Sequence, residues 1–89
     1  MEQKGENEMR ILVISTPDKD PEIYDLAEGK KEAGQEARRL FFSNAVNEQE
    51  NSGLDERNTW WDAFRQRGQI ARTDGYVTTF EVANAYMPA

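Results

Sequence analysis

Met9-Arg10-Ile11-Leu12-Val13-Ile14-Ser15 is the strongest structural signal in this chain of 89 residues. The stretch is short and rich in β-branched residues, and Thr16-Pro17 closes it, which is typical of a β-strand. Apolar residues stand at successive positions, so we expect both faces of this strand to be at least partly covered. The sequence therefore places a covered strand near the N-terminus.

A first helix is predicted after this strand. Asp20-Pro21 indicates its start, because Asp accepts hydrogen bonds from the first turn and Pro at the first helical position has no amide to leave unpaired. The polar stretch 44–53 indicates a surface loop after the helix. The helical pattern between these limits consists of apolar residues at steps of three and four, apart from a break at Lys30: Ile23, Leu26, Ala27, Ala33, Ala37, Leu40 and Phe41.

A second helix is predicted over residues 54–68. Asp55 would cap it and Gly68 would end it. The two adjacent tryptophans would lie about 100° apart on such a helix, so that one enters the core and the other lies at its margin. Leu54, Trp60, Trp61 and Phe64 fall near helical spacing.

The last twenty residues fit two patterns. Thr73-Asp74-Gly75 is a turn signal, and we expect a short strand ending near Val77 and a terminal helix from Phe80. An extended strand after Phe80 fits the same residues and stays an alternative.

The predicted fold class is therefore α+β. Residues 9–89 form one small domain with a short N-terminal strand, two main helices and a C-terminal segment of short strand and helix, while residues 1–8 are expected to be a disordered acidic tail. A chain of this size buries only about 60–65% of the surface of its unfolded form, which favours one core.

Missing residue types exclude much enzyme chemistry. The chain has no cysteine and no histidine, which rules out disulfides, thiol nucleophiles, zinc ribbons and Ser-His-Asp triads. No catalytic motif is recognisable, so we expect a protein that is not an enzyme and has no cofactor or metal. The longest apolar run, 11–14, is far shorter than the roughly 20 residues of a membrane span, so we expect a cytoplasmic protein that does not contact membranes.

Charge is unevenly distributed along the chain. The net charge is −6, with 17 acidic and 11 basic residues. Residues 18–32 hold six acids and three lysines, whereas residues 57–72 hold four arginines and one acid. The overall charge disfavours direct binding to nucleic acid, and the basic segment keeps it open.

An acidic helix face is predicted in the first helix. Three of its members follow each other at four-residue steps, a spacing that suits a solvated, salt-bridged surface better than paired catalytic carboxylates. A calcium loop starting at Asp18 would need Gly and Glu where the chain has Ile23 and Gly29. The acidic face consists of Asp25, Glu28, Glu32 and Glu36.

Arginine and aromatic residues alternate in the predicted second helix. This composition is used for stacking on single-stranded nucleic acid and is also enriched in protein–protein hot spots. A core position for part of the group is the structural alternative. The candidate partner-binding residues are Arg57, Trp60, Trp61, Phe64, Arg65 and Arg67.

Residues 24–67 resemble the ribosome modulation factor family and related small phage and plasmid proteins. Ala27-Glu28-Gly29 with Ala33 resembles the first helix of that family, Ser43-Asn44-Ala45 its short connection, and the segment 57–65 its second helix. The resemblance implies binding to the ribosome or RNA, with Arg57, Trp60, Phe64 and Arg65 as the residues involved.

Taken together, these features predict a small regulatory or inhibitor protein, of the kind encoded by phages and mobile elements, that binds a larger protein or ribonucleoprotein. A ribosome- or RNA-associated factor is the first alternative. An acidic mimic of DNA phosphates is the second.

Overall fold

The structure, a computed structural model, describes residues 7–87. Five strands form one antiparallel sheet in the order β2-β1-β5-β4-β3, and one long helix packs on it. The elements in chain order are β1 (Asn7–Ser15), β2 (Glu22–Asp25), α1 (Lys30–Asn51), a 3₁₀ turn (Glu56–Asn58), β3 (Trp60–Asp62), β4 (Arg67–Ala71) and β5 (Val77–Met87).

The first and last strands form the centre of the sheet. β1 pairs with β5 from Asn7 opposite Met87 to Ser15 opposite Thr79. The β1–β2 hairpin extends the sheet on one side and the β3–β4 hairpin on the other. The predicted N-terminal strand is confirmed, and it begins at Asn7, inside the predicted tail of 1–8; residues 1–6 lie outside the described part of the chain.

The core lies between α1 and one face of the sheet. Ala33 and Ala37 are completely buried on the helix, and their small side chains allow the helix axis to approach the strands. Phe41 fills the space beyond them, with its ring centroid 5.2 Å from that of Phe80 and 5.3 Å from that of Trp61. The buried cluster consists of Leu12, Ile14, Leu26, Ala33, Ala37, Phe41, Ile70 and Phe80.

The prediction of two main helices is wrong, since α1 is the one α-helix of residues 7–87. The predicted helix 54–68 is a 3₁₀ turn followed by β3 and the start of β4. Trp60 and Trp61 lie opposite Gln69 and Gly68, so they point to opposite faces of the sheet. The spacing of Trp60, Trp61 and Phe64 is compatible with one helical turn and also with a strand followed by a hairpin loop. Pairing of β3 with β4 favours the strand and loop.

The predicted boundaries of the first helix are also wrong, and so is the predicted C-terminal helix. Asp20-Pro21 precedes β2, which antiparallel pairing with β1 holds extended, and α1 starts only at Lys30. The predicted loop 44–53 is largely the last two turns of α1, since that helix continues to Asn51. The segment from Phe80 is strand throughout because it pairs with β1, so the extended alternative describes it.

The turn between β1 and β2 yields a stability prediction. Lys19 N–H donates to the Thr16 carbonyl at 3.2 Å, and Asp18 has φ of 66° directly after Pro17, the arrangement of a type II turn. The left-handed conformation costs a residue with a β-carbon about 1–2 kcal/mol, and the freedom that glycine gives the unfolded chain offsets part of the gain from replacing it. We therefore expect Asp18→Gly to raise the free energy of unfolding by about 0.5–1 kcal/mol in urea titrations. Asp18→Ala, which retains the β-carbon, is the control without a gain, and equal stability of the two variants would contradict the turn assignment.

Candidate binding surfaces

The sheet has a second face, on the side away from α1, which we call the open face. The strand pairing places its side chains in rows: Val13 lies beside Ile23 and Glu81, and Glu81 beside Arg67. α1 covers only the opposite face. The open face includes Ile11, Val13, Ile23, Asp25, Trp60, Asp62, Arg67, Gln69, Thr79 and Glu81.

The open face is more apolar than the solvated face of an antiparallel sheet usually is. An antiparallel sheet with one solvated face normally alternates apolar and polar residues, but β1 carries Ile11 and Val13 on this side as well. Ile23 is 62% exposed beside Val13, and Trp60 is 43% exposed on the edge strand. The apolar side chains of this face therefore have only partial cover from residues 7–87.

A concavity of about 410 Å³ lies on the open face. Val13 and the ring of Trp60 border it, and Arg67 and Gln69 contribute polar atoms. Ser15, Thr79 and Glu81 complete its lining together with Gly68 and Phe80. Apolar walls with a few polar groups are typical of surfaces that receive a side chain of a binding partner.

The structure separates the six predicted partner-binding residues into four places. Trp60 and Arg67 are on the open face. Trp61 points to the other face and contacts Phe41, and Arg57 lies in the 3₁₀ turn. The remaining two, Phe64 and Arg65, are in the loop between β3 and β4.

The predicted acidic helix face is also divided. Asp25 belongs to β2 and Glu28 to the connection before α1, where the Glu28 carbonyl accepts a hydrogen bond from Arg10. Glu32 lies in the first turn of α1. Glu36 has a structural role, because its Oε1 accepts the Ala27 N–H at 2.6 Å and fastens the connection to the helix.

Strand order places the two charged segments at opposite ends of the sheet. The acidic segment 18–25 leads into and forms edge strand β2, whereas Arg57, Arg65 and Arg67 flank the other edge strand, β3. Arg72 is removed from this basic edge, since its guanidinium pairs with Asp74 at 2.6 Å. The Tyr76 amide, which donates to the Asp74 carboxylate, and Arg72 hold the pKa of Asp74 below its usual value.

The open-face residues Ile11, Val13 and Ile23 were not among the predicted site residues. The signal for two of them was present, because β1 was expected to need cover on both faces. The sequence alone does not show which face of β1 the helix α1 covers. It therefore does not show that Ile11 and Val13, and not Leu12 and Ile14, are the residues left without cover by the helix.

Comparisons with protein-family models, with curated proteins and with solved structures find no match to this chain. They leave the resemblance to the ribosome modulation factor family untested. The segment 57–65 forms a 3₁₀ turn, β3 and part of a loop, where the resemblance implies a second helix. Within residues 7–87, no helix has the length and apolarity to cross a membrane, and no three acidic side chains cluster as metal ligands would.

Proposed function

We propose that this chain is a non-catalytic regulatory protein that binds a larger protein through the open face of its sheet. The observation that supports the proposal is the apolar second face of central strand β1, which no helix of residues 7–87 covers. A partner that covers this face would supply the second layer that the sequence of β1 demands.

The exposed side chains of the open face suit a binding hot spot. Burying an exposed isoleucine completely stabilises a complex by about 1.5–3 kcal/mol, and Ile23 is more than half exposed. Tryptophan and arginine are enriched in hot spots, and Trp60 and Arg67 border the same concavity. These residues lie on paired strands, so little conformational freedom is lost when a partner binds.

The charges of this face favour a protein over a nucleic acid. Arg67 is flanked by Glu81 on β5 and by Asp62 on β3, and Asp25 lies on the same face of β2. The two carboxylates beside Arg67, and the third on β2, repel a phosphate backbone, whose binding requires several unopposed cations. A protein surface with apolar residues and mixed charge is complementary to the same pattern.

Affinity capture with matched variants tests the proposal. The bait chains are wild type, Ile23→Glu, Trp60→Ala and the control Val46→Glu, whose residue is a 51% exposed apolar side chain on α1. We expect wild type and Val46→Glu to retain a protein from nuclease-treated lysate. Once that protein is purified, we expect both open-face variants to bind it at least about tenfold more weakly than wild type does.

Three results would contradict the proposal. The first is a captured protein that binds all four baits equally, and the second is binding that disappears with nuclease. The third comes from sedimentation of the chain alone: a dimer that Ile23→Glu converts to a monomer would show that a second copy covers the open face.

A further inference from the structure

The loop between β3 and β4, residues 63–66, presents the most exposed large apolar side chain among residues 9–84. Phe64 is 95% exposed, whereas its neighbour Trp61 is partly buried against the core. Arg65 follows directly and its side chain is 65% exposed. We call this loop the hairpin tip.

Hydrogen bonds hold the hairpin tip in one conformation. Asp62 Oδ1 accepts the amides of Phe64 at 3.0 Å and Arg65 at 3.1 Å. Gln66 closes the loop with φ of 54°, and its carbonyl accepts the Val82 N–H at 3.0 Å. The backbone that carries Phe64 is therefore ordered before any partner arrives, which reduces the entropy lost on binding.

A cleft of about 240 Å³ lies beside the hairpin tip, between α1 and the hairpin. The ring of Trp61 and the methyl group of Ala63 form its apolar part. Lys31 and Arg38, both exposed, line its helix side. The cleft thus adds an apolar surface and two cations beside the loop that carries Phe64.

Positive charge dominates this corner of an acidic molecule. Lys31 and Arg38 line the cleft, and Arg65 follows Phe64 in the hairpin tip, where Nη1 of Arg65 is 3.8 Å from Oδ2 of Asp62. Glu36 does not reach the cleft, since it turns to the Ala27 amide on the other flank of the helix. Glu32 precedes Glu36 by one turn and shares that flank.

From this arrangement we infer that the hairpin tip and its cleft form a second docking surface, which binds an acidic protein segment with apolar side chains. Phe64 and Trp61 contact the apolar side chains of the segment, while Lys31, Arg38 and Arg65 meet its carboxylates. A segment with a few carboxylates matches three cations, whereas a longer polyphosphate extends into the field of a chain whose net charge is −6. The docking surface shares no residue with the open face, so either proposal can fail alone.

Selection from a displayed library of random peptides tests the inference on the full chain. We expect the enriched peptides to combine Asp or Glu with Leu, Phe or Trp, and their amide chemical-shift changes on the chain to centre on residues 61–66 and the first half of α1. Binding of the synthetic peptides should weaken as salt rises, because the contacts include exposed ion pairs.

Matched variants separate the docking surface from general effects. Phe64→Ala and Arg38→Glu should weaken binding of the selected peptides by at least about fivefold. Tyr76→Ala, which removes an exposed aromatic in the turn between β4 and β5, and Arg39→Glu, next to Arg38 but about 100° around the helix, should change it less than about twofold. Phe64 is almost fully exposed, so its truncation leaves the core intact.

Several outcomes would overturn the inference. These are the enrichment of no peptide or of basic peptides, and binding that Phe64→Ala leaves unchanged. The oligonucleotide dT15 serves as the nucleic-acid probe, and tighter binding of dT15 than of the acidic peptides would assign the surface to single-stranded nucleic acid.

Discussion

Phe41→Ala is expected to lower the free energy of unfolding by about 3–5 kcal/mol, the usual cost of removing a buried aromatic ring. Phe41 is 1% exposed and joins α1 to β5 and β3 through its contacts with Phe80 and Trp61. A domain of this length has a total stability of about 4–13 kcal/mol, so this loss removes a substantial share of it and shifts the unfolding midpoint to a lower urea concentration. Urea unfolding followed by far-ultraviolet circular dichroism measures the change.

Phe42→Ala is the matched control for this experiment. Phe42 is 45% exposed, and its contacts are the edge of the Phe41 ring and the guanidinium of Arg38. We expect its truncation to lower the free energy of unfolding by less than about 1.5 kcal/mol. If the two variants were equally unstable, the helix would have to pack on the sheet through a different face.

Gly68→Ala is expected to lower the free energy of unfolding by about 3 kcal/mol, the upper part of the range for overpacking. A β-carbon at this position would lie 2.5 Å from the Trp60 carbonyl oxygen and 2.8 Å from Cε3 of Trp61. These atoms belong to the paired strand β3, which cannot move away without breaking its hydrogen bonds to β4. Urea titration measures the loss, and altered fluorescence of Trp60 and Trp61 reports the displacement of β3.

Gly34→Ala is the matched control for Gly68→Ala, because it adds the same β-carbon at a position whose neighbour can move away. A β-carbon there meets only the end of the flexible Gln66 side chain. Because alanine is favoured over glycine in a helix by about 1 kcal/mol, this variant should be as stable as wild type or more stable. A Gly68→Ala variant that kept wild-type stability would contradict the close approach of β3 and β4.

Local patterns predict the parts of this fold that depend on local chemistry. The apolar stretch of β1 is predicted correctly because it is short, rich in β-branched residues and closed by Thr16-Pro17, and the steps between Ala33, Ala37 and Phe41 identify the buried stripe of α1. The start of that helix is wrong because Asp20-Pro21 suits a helix cap and also the approach to a paired strand.

The rest of the fold depends on pairing between distant segments. Gly68 was expected to end a helix, yet its missing side chain is what lets β4 lie against β3. Residue type alone predicts Trp60 and Arg67 as site residues. Their position on a common face follows from the pairing of β3 with β4, which places Trp60 opposite Gln69 and Asp62 opposite Arg67. Ile23 becomes a candidate only when β2 pairs with β1, and the local sequence of β2 does not predict that pairing.

The pairing of β1 with β5 also sets the order of events during biosynthesis. β1 leaves the ribosome before β5, and its long edge stays unpaired until residues 79–87 follow, because those residues are its partner in the finished sheet. Contacts between such distant positions close slowly and leave apolar segments open to aggregation in the interval. Until β5 follows, β1 is therefore open to aggregation, and removing β5 by truncation would leave the two hairpins without the strand that joins them.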